Sequence, residues 1–160
     1  MTKRVPRWLT AIAFVGICFL ASGIGQLFTG GEPDGWYSGL RKPDFTPPGW
    51  VFGPVWTLLY ILMGMAAWFV WLRRGNRAVS VALVLFAIQL ALNAAWPGLF
   101  FGLQSPRIAF AEIVVLWVAI VLTLSSFFGV SKLSGWLMVP YLAWVTFAAV
   151  LNLAIWRLNA

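Results

Sequence analysis

The side chains of this chain that could bind or react are rings and amides rather than acids, bases or metal ligands. There is no histidine, one cysteine (Cys18), and four carboxylates, Glu32, Asp34, Asp44 and Glu112. An intrachain disulfide is impossible, a Cys/His zinc site cannot be built, and haem cannot be ligated through histidine. No metal site is expected, and no acid–base pair or nucleophile dyad offers conventional catalysis. What remains is three stripes at helical spacing. Phe52, Trp56 and Tyr60 fall at i, i+4 and i+8; Gln89, Asn93, Trp96 and Phe100 form a second set; Tyr141, Trp144, Ala148, Leu151 and Asn152 form a third. Aromatic stripes are ordinarily bundle core, and a buried amide is ordinarily an interhelical hydrogen bond. Three stripes of rings with a few polar tips also suit a cavity for a large, flat, mostly apolar ligand, which is the reading preferred here.

The elements that must position these stripes are membrane spans. The chain has 160 residues, 62% hydrophobic and 9% charged, whereas soluble domains carry about 25% charged residues. Five apolar runs, near 8–28, 50–72, 78–101, 108–128 and 136–156, each approach the roughly 20 residues needed to cross a bilayer. They are continuously apolar rather than alternating, so helices are expected and not a barrel. The fold class is an all-α integral membrane protein, a single domain over 1–160 made of a five-helix transmembrane bundle. The short later connections predict that consecutive spans lie antiparallel and side by side.

The first run follows Lys3, Arg4 and Arg7 and so has a signal-peptide reading, but its length and the lack of a small-residue cleavage site favour an uncleaved span. The net charge of +7 does not point to nucleic acid, because the bases sit in short clusters between spans. Seven of them (Lys3, Arg4, Arg7, Arg73, Arg74, Arg77, Lys132) fall on one side and four (Arg41, Lys42, Arg107, Arg157) on the other. In a bacterial inner membrane that bias predicts a cytoplasmic N-terminus.

Between spans one and two, Trp36–Tyr60 reads WYSGLRKPDFTPPGWVFGPVWTLLY. Pro43, Pro47 and Pro48 make an aromatic, proline-rich loop stiff. The loop could anchor a helix at the interface or lid a site, and the rings it feeds inward favour a lid that holds Tyr37 and Trp50 over the opening, with Trp36 left as an anchor. Pro54 and Pro140 are expected in the first turns of spans two and five, where proline is tolerated. Pro97 is expected to kink span three. Ala87, Ala91 and Ala95 form a small-residue ridge nearly opposite Gln89 and Asn93, suited to close helix approach within the chain or in a homodimer. Gly49 and Gly53 are read as easing the turn into span two, and Glu112, the one acid inside a span, as interfacial.

These residues carry a resemblance. WYSGLRKPDFTPPGWVFGPVWTLLY, QLALNAAWPGLFF and PYLAWVTFAAVLNLAIWRLN resemble the first loop and second helix, the third helix and the fifth helix of the TspO/MBR family, the translocator proteins once called peripheral benzodiazepine receptors and, in bacteria, tryptophan-rich sensory proteins. The resemblance spans essentially the whole chain and points to a bacterial member. It implies a five-helix bundle, often dimeric, with a pocket beneath the first loop that binds protoporphyrin IX, haem and other hydrophobic small molecules. By motif position it implies pocket residues at Tyr37, Pro47, Trp50, Trp56, Tyr60, Asn93, Trp96, Trp144 and Ala148. No cofactor is required, porphyrin being a ligand. In some bacterial members the tryptophans matching Trp56 and Trp144 are implicated in light-driven porphyrin breakdown, so these two are the catalytic candidates if the protein is a photo-oxidase. The animal sterol motif needs a base soon after a tyrosine late in the fifth span. Here Tyr141 is followed by LAWVTF, and sterol recognition through that motif is not expected.

Three functions compete on this reading: a porphyrin-binding protein that transports, senses or buffers tetrapyrroles; a photo-oxidase; and a stress-response interaction protein with a regulatory ligand. Secondary transporters usually show two related halves, and five spans with no internal repeat argue against that mode.

Overall fold

The structure, a computed structural model, describes residues 6–29 and 35–160, with the backbone alone at 28 and 29. Lys3, Arg4, Glu32 and Asp34 lie outside the described residues. Among the described residues six α-helices follow in order: α1 (Arg7–Thr29), the four-residue α2 (Trp36–Gly39), α3 (Gly49–Trp71), α4 (Arg77–Pro97), α5 (Pro106–Val130) and α6 (Lys132–Leu158). A π-helical turn, Gly98–Gly102, continues α4. Five of these elements, all but α2, are long and apolar enough to cross a membrane, and no strand occurs among the described residues. The expected all-α five-span bundle is what the chain forms.

The helices close into a ring in the order α1, α3, α6, α5, α4, each packed on the next. This differs from the expectation that all consecutive spans pack side by side. The hairpins α4–α5 and α5–α6 do, but α3 and α4 touch far less, with α1 between them one way around the ring and α6 and α5 the other. Two glycines explain how α1 takes that place. A Cβ on Gly64 of α3 would lie 2.6 Å from the Val15 Cα, and one on Gly25 of α1 would lie 3.2 Å from the Pro97 Cγ. Without side chains there, α1 seats closely on α3 at one level and against α4 at another. Trp68 Nε1 also donates to Thr10 Oγ1 at 3.0 Å, which locks α1 to α3 one turn away. The first run is thus a wall of the bundle.

Helix starts are set by capping. Asn76 Oδ1 accepts from Val79 N at 3.0 Å, Ser105 Oγ from Ile108 N at 3.4 Å, and Ser131 Oγ from Ser134 N at 3.4 Å. The Ser131 cap starts α6 at Lys132, about a turn earlier than hydropathy alone suggests. Pro140 therefore sits in the helix interior rather than in its first turn, and Pro54 likewise falls inside α3. Pro97 has its expected effect in a specific form. Its missing N–H breaks the ladder, and the chain widens into the π turn, where Leu103 N bonds Gly98 O at 2.9 Å.

Outside the ring, leucine, isoleucine and valine side chains face outward, with exposed Trp8 and Trp136 at one end and Trp50 at the other. That is the distribution of an aromatic belt at two interfaces. Ala87, Ala91 and Ala95 are exposed, so the small-residue ridge is not used for packing within the chain.

Candidate functional site

A cavity of about 760 Å³ lies inside the ring at the end covered by the loop after α2. Ligand pockets run from roughly 300 to 1,000 Å³, so this one is large enough for a drug-sized or larger flat molecule. Along α3 its wall extends from Gly49 to Tyr60, roughly 16 Å at the rise of an α-helix. The reason is phase: Phe52, Trp56 and Tyr60 repeat every four residues and stay on one side.

Most of the rings expected at the site do meet here. Trp56 and Tyr60 stack at 5.3 Å on one wall, and Trp96 stacks on Phe100 at 4.9 Å on another. Trp144 meets Phe52 edge-on at 5.8 Å, with Ala148 one turn further along α6. The π turn matters for this geometry. It brings both Phe100 and Phe101 to the cavity, and Tyr37 of α2 packs edge-on against the two, at 6.0 and 5.6 Å. Pro47 completes the cover.

The amides turn out to be structural as well as cavity-facing. Tyr60 Oη donates to Asn93 Oδ1 at 2.8 Å, and Asn93 Nδ2 donates to Tyr141 Oη at 3.0 Å, so one amide ties α3, α4 and α6 together. Asn152 accepts from Trp96 Nε1 at 3.2 Å and donates to Pro106 O at 2.8 Å, tying α4, α5 and α6. Asn93 and Asn152 thus make the interhelical bonds ordinarily expected of buried amides, with their edges on the cavity wall. Trp144 is the contrasting case. Its Nε1 is shielded from solvent and has no acceptor among the described residues. A buried indole N–H usually finds a partner.

Three expectations need correction. Trp50 does not cover the opening. It is 76% exposed and absent from the cavity wall, because it lies roughly 100° round the helix from Gly49 and shares the outward side with Leu58 and Ile61. Gln89 does not reach the cavity either. It is one turn deeper than Asn93, fully buried, and its amide finds no partner. Glu112 is not interfacial in the sense expected, since both carboxylate oxygens are shielded and unpartnered.

Two contributors were overlooked. The α1 wall supplies Ser22 and Gln26, an i, i+4 polar pair joined at 3.3 Å, which was visible in an otherwise apolar run. Lys42, read only as a topology signal, lines the mouth.

The cover is held by a contact that no local pattern announces. Asn159, just past α6, accepts from Arg41 N and donates to Arg41 O, each at 2.9 Å, and also donates to Ile155 O at 2.8 Å. This two-bond clamp fixes the loop at the residue before Lys42. Asn159→Ala removes it, and trypsin should then cut after Arg41 several-fold faster than in the wild-type protein. Equal cleavage rates would mean that Pro43, Pro47 and Pro48 hold the loop unaided.

The family model for the TspO/MBR family matches residues 14–157. The chain is 45% identical to a tryptophan-rich protein TspO of Chlorobaculum tepidum, over 99% of both chains. It is 41% identical to the human translocator protein, over 96% of this chain and 92% of that one. To a tryptophan-rich sensory protein of Cereibacter sphaeroides it is 39% identical, over 95% of this chain and 92% of the other. The five-span ring and the motif blocks at its loop, α4 and α6 agree with that similarity along the full length: this chain is an integral, multi-pass membrane protein of the TspO/MBR family.

Proposed function

We propose that the cavity binds porphyrins such as protoporphyrin IX and haem, together with other flat hydrophobic molecules, and that the protein acts in tetrapyrrole transport, sensing or stress response through this binding. The observation that carries the reading is the lining of the cavity: Phe52, Trp56 and Tyr60 of α3, Trp96 and Phe100 of α4 and its π turn, and Trp144 of α6 bring ring surfaces to one space, where the neighbouring amides are already engaged. A ligand whose body is a flat π-face matches that lining.

Titrating protoporphyrin IX into the purified protein should quench tryptophan fluorescence saturably. Trp144→Ala removes one ring from the wall and should weaken binding about fivefold, the worth of one ring contact of roughly 1 kcal/mol. Absence of saturable quenching in the wild-type protein would overturn the binding reading.

A second reading, light-driven oxidation of the bound porphyrin with dioxygen as oxidant, is favoured by one specific placement: Trp56 and Trp144 line the same cavity. An indole is oxidisable, and no acid, base or metal is then needed. Under illumination in air, identical porphyrin loss with the wild type and with Trp56→Phe/Trp144→Phe would remove this reading.

A further inference from the structure

We propose that the ligand is an anionic amphiphile, and that Lys42 reads its carboxylate at the mouth of the cavity while the apolar body lies among the rings. The inference rests on the porphyrin-binding reading above and specifies the ligand class and its orientation.

Among the described residues, Lys42 is the single charged side chain on the cavity wall. Every other polar group there is a neutral hydroxyl, amide or indole. Lys42 is also underused. Its Nζ lies 4.4 Å from the Tyr37 ring centroid and makes one long bond, 3.5 Å, to Ser38 O. No carboxylate lies within ion-pair distance among the described residues. An ammonium has three donors, so most of its capacity is open to a ligand.

Its position is held from three sides. Arg41 before it is clamped through both backbone groups by Asn159, and Pro43 after it fixes φ. Tyr37 beneath it is wedged against Phe100 and Phe101. A cation held in place over an opening costs little ordering on binding.

The other end of the cavity decides the orientation. At its floor, Asn93 accepts from Tyr60 and donates to Tyr141 behind it, and no cation among the described residues is present to neutralise a buried carboxylate. An anion driven to that depth would lose its hydration without a countercharge. An acid group therefore stays at the mouth, against Lys42, and the flat body points inward.

The test compares protoporphyrin IX, which carries two propionates, with its dimethyl ester, by tryptophan quenching in neutral detergent. The wild-type protein should prefer the diacid about tenfold, less at high salt. The preference should fall to about one in Lys42→Met and return in Lys42→Arg. No preference in the wild type, or a preference that persists in Lys42→Met, overturns the inference while leaving porphyrin binding in place. If neither compound quenches the wild-type protein, the binding reading fails and this inference falls with it.

Discussion

Asn93→Leu should destabilise the bundle by about 2 kcal/mol and widen the cavity floor, although the two side chains are close in volume. The amide is the node at which α3, α4 and α6 meet, accepting from Tyr60 and donating to Tyr141. Leucine removes both bonds. It takes from Tyr60 its acceptor and leaves the wholly buried Tyr141 hydroxyl without its donor. Counted as orphaned groups, the loss is roughly 1–3 kcal/mol for each hydroxyl, but interhelical hydrogen bonds within membranes average only about 0.6 kcal/mol. The node lies inside the ring, where lipid cannot supply substitute partners, so the value falls between the two. The asymmetry between losing a bond and stranding a group gives the sharper check. Asn93→Leu/Tyr141→Phe removes the stranded hydroxyl and should regain part of the stability despite being a double substitution. The readout is thermal unfolding in detergent, followed by tryptophan fluorescence. If the double variant is simply the sum of two losses, the node is not where the stabilisation resides.

The five spans were legible because hydropathy and length suffice for them, and the helical phase of Phe52, Trp56 and Tyr60 was legible because period alone puts them on one side. What stayed hidden required knowledge of which helices meet. Nothing local says that Gly64 faces Val15, or that Asn159 reaches Arg41 across 118 positions. The ring order was misread for the same reason: short connections bring spans near one another but do not decide whether a third helix seats beside them. Trp50 was a different kind of error. The motif groups it with Trp56, yet six residues of helix turn its ring outward, and the phase argument that placed Trp56 would have excluded it. Pro140 shows the cost of reading a span by apolarity alone, since the Ser131 cap begins the helix in residues too polar to count as membrane.

The division of labour that results is specific. Rings supply the surface of the cavity, amides hold the helices that carry the rings, and two elements far apart in sequence are drafted to keep the space open: α1 as a wall and Asn159 as the clamp on the cover. Binding would then be sensitive to substitutions that touch no ligand.

Gly64→Ala is the severest such case. The added Cβ would fall 2.6 Å from the Cα and 2.8 Å from the N of Val15. These are backbone atoms, so no rotamer change relieves the clash, and α1 must move off α3 by about 1 Å to reach an ordinary carbon–carbon contact of roughly 3.5–4.0 Å. That shift is enough to break the Trp68–Thr10 bond one turn away, now 3.0 Å. It also displaces Phe19, Ala21 and Ser22, which line the cavity from α1. Overpacking of this kind costs typically 1–3 kcal/mol, and the lost bond and loosened interface place Gly64→Ala at about 3 kcal/mol. Thermal unfolding should fall accordingly, and porphyrin affinity should drop at least tenfold even where the protein remains folded. Val15→Ala supplies the control. It removes Val15 Cγ2, which stands 2.8 Å from the new methyl, but leaves the Cα and N in place. Gly64→Ala/Val15→Ala should therefore stay destabilised. Full rescue would show that a side chain, and not the close approach of two backbones, is what excludes a methyl at position 64.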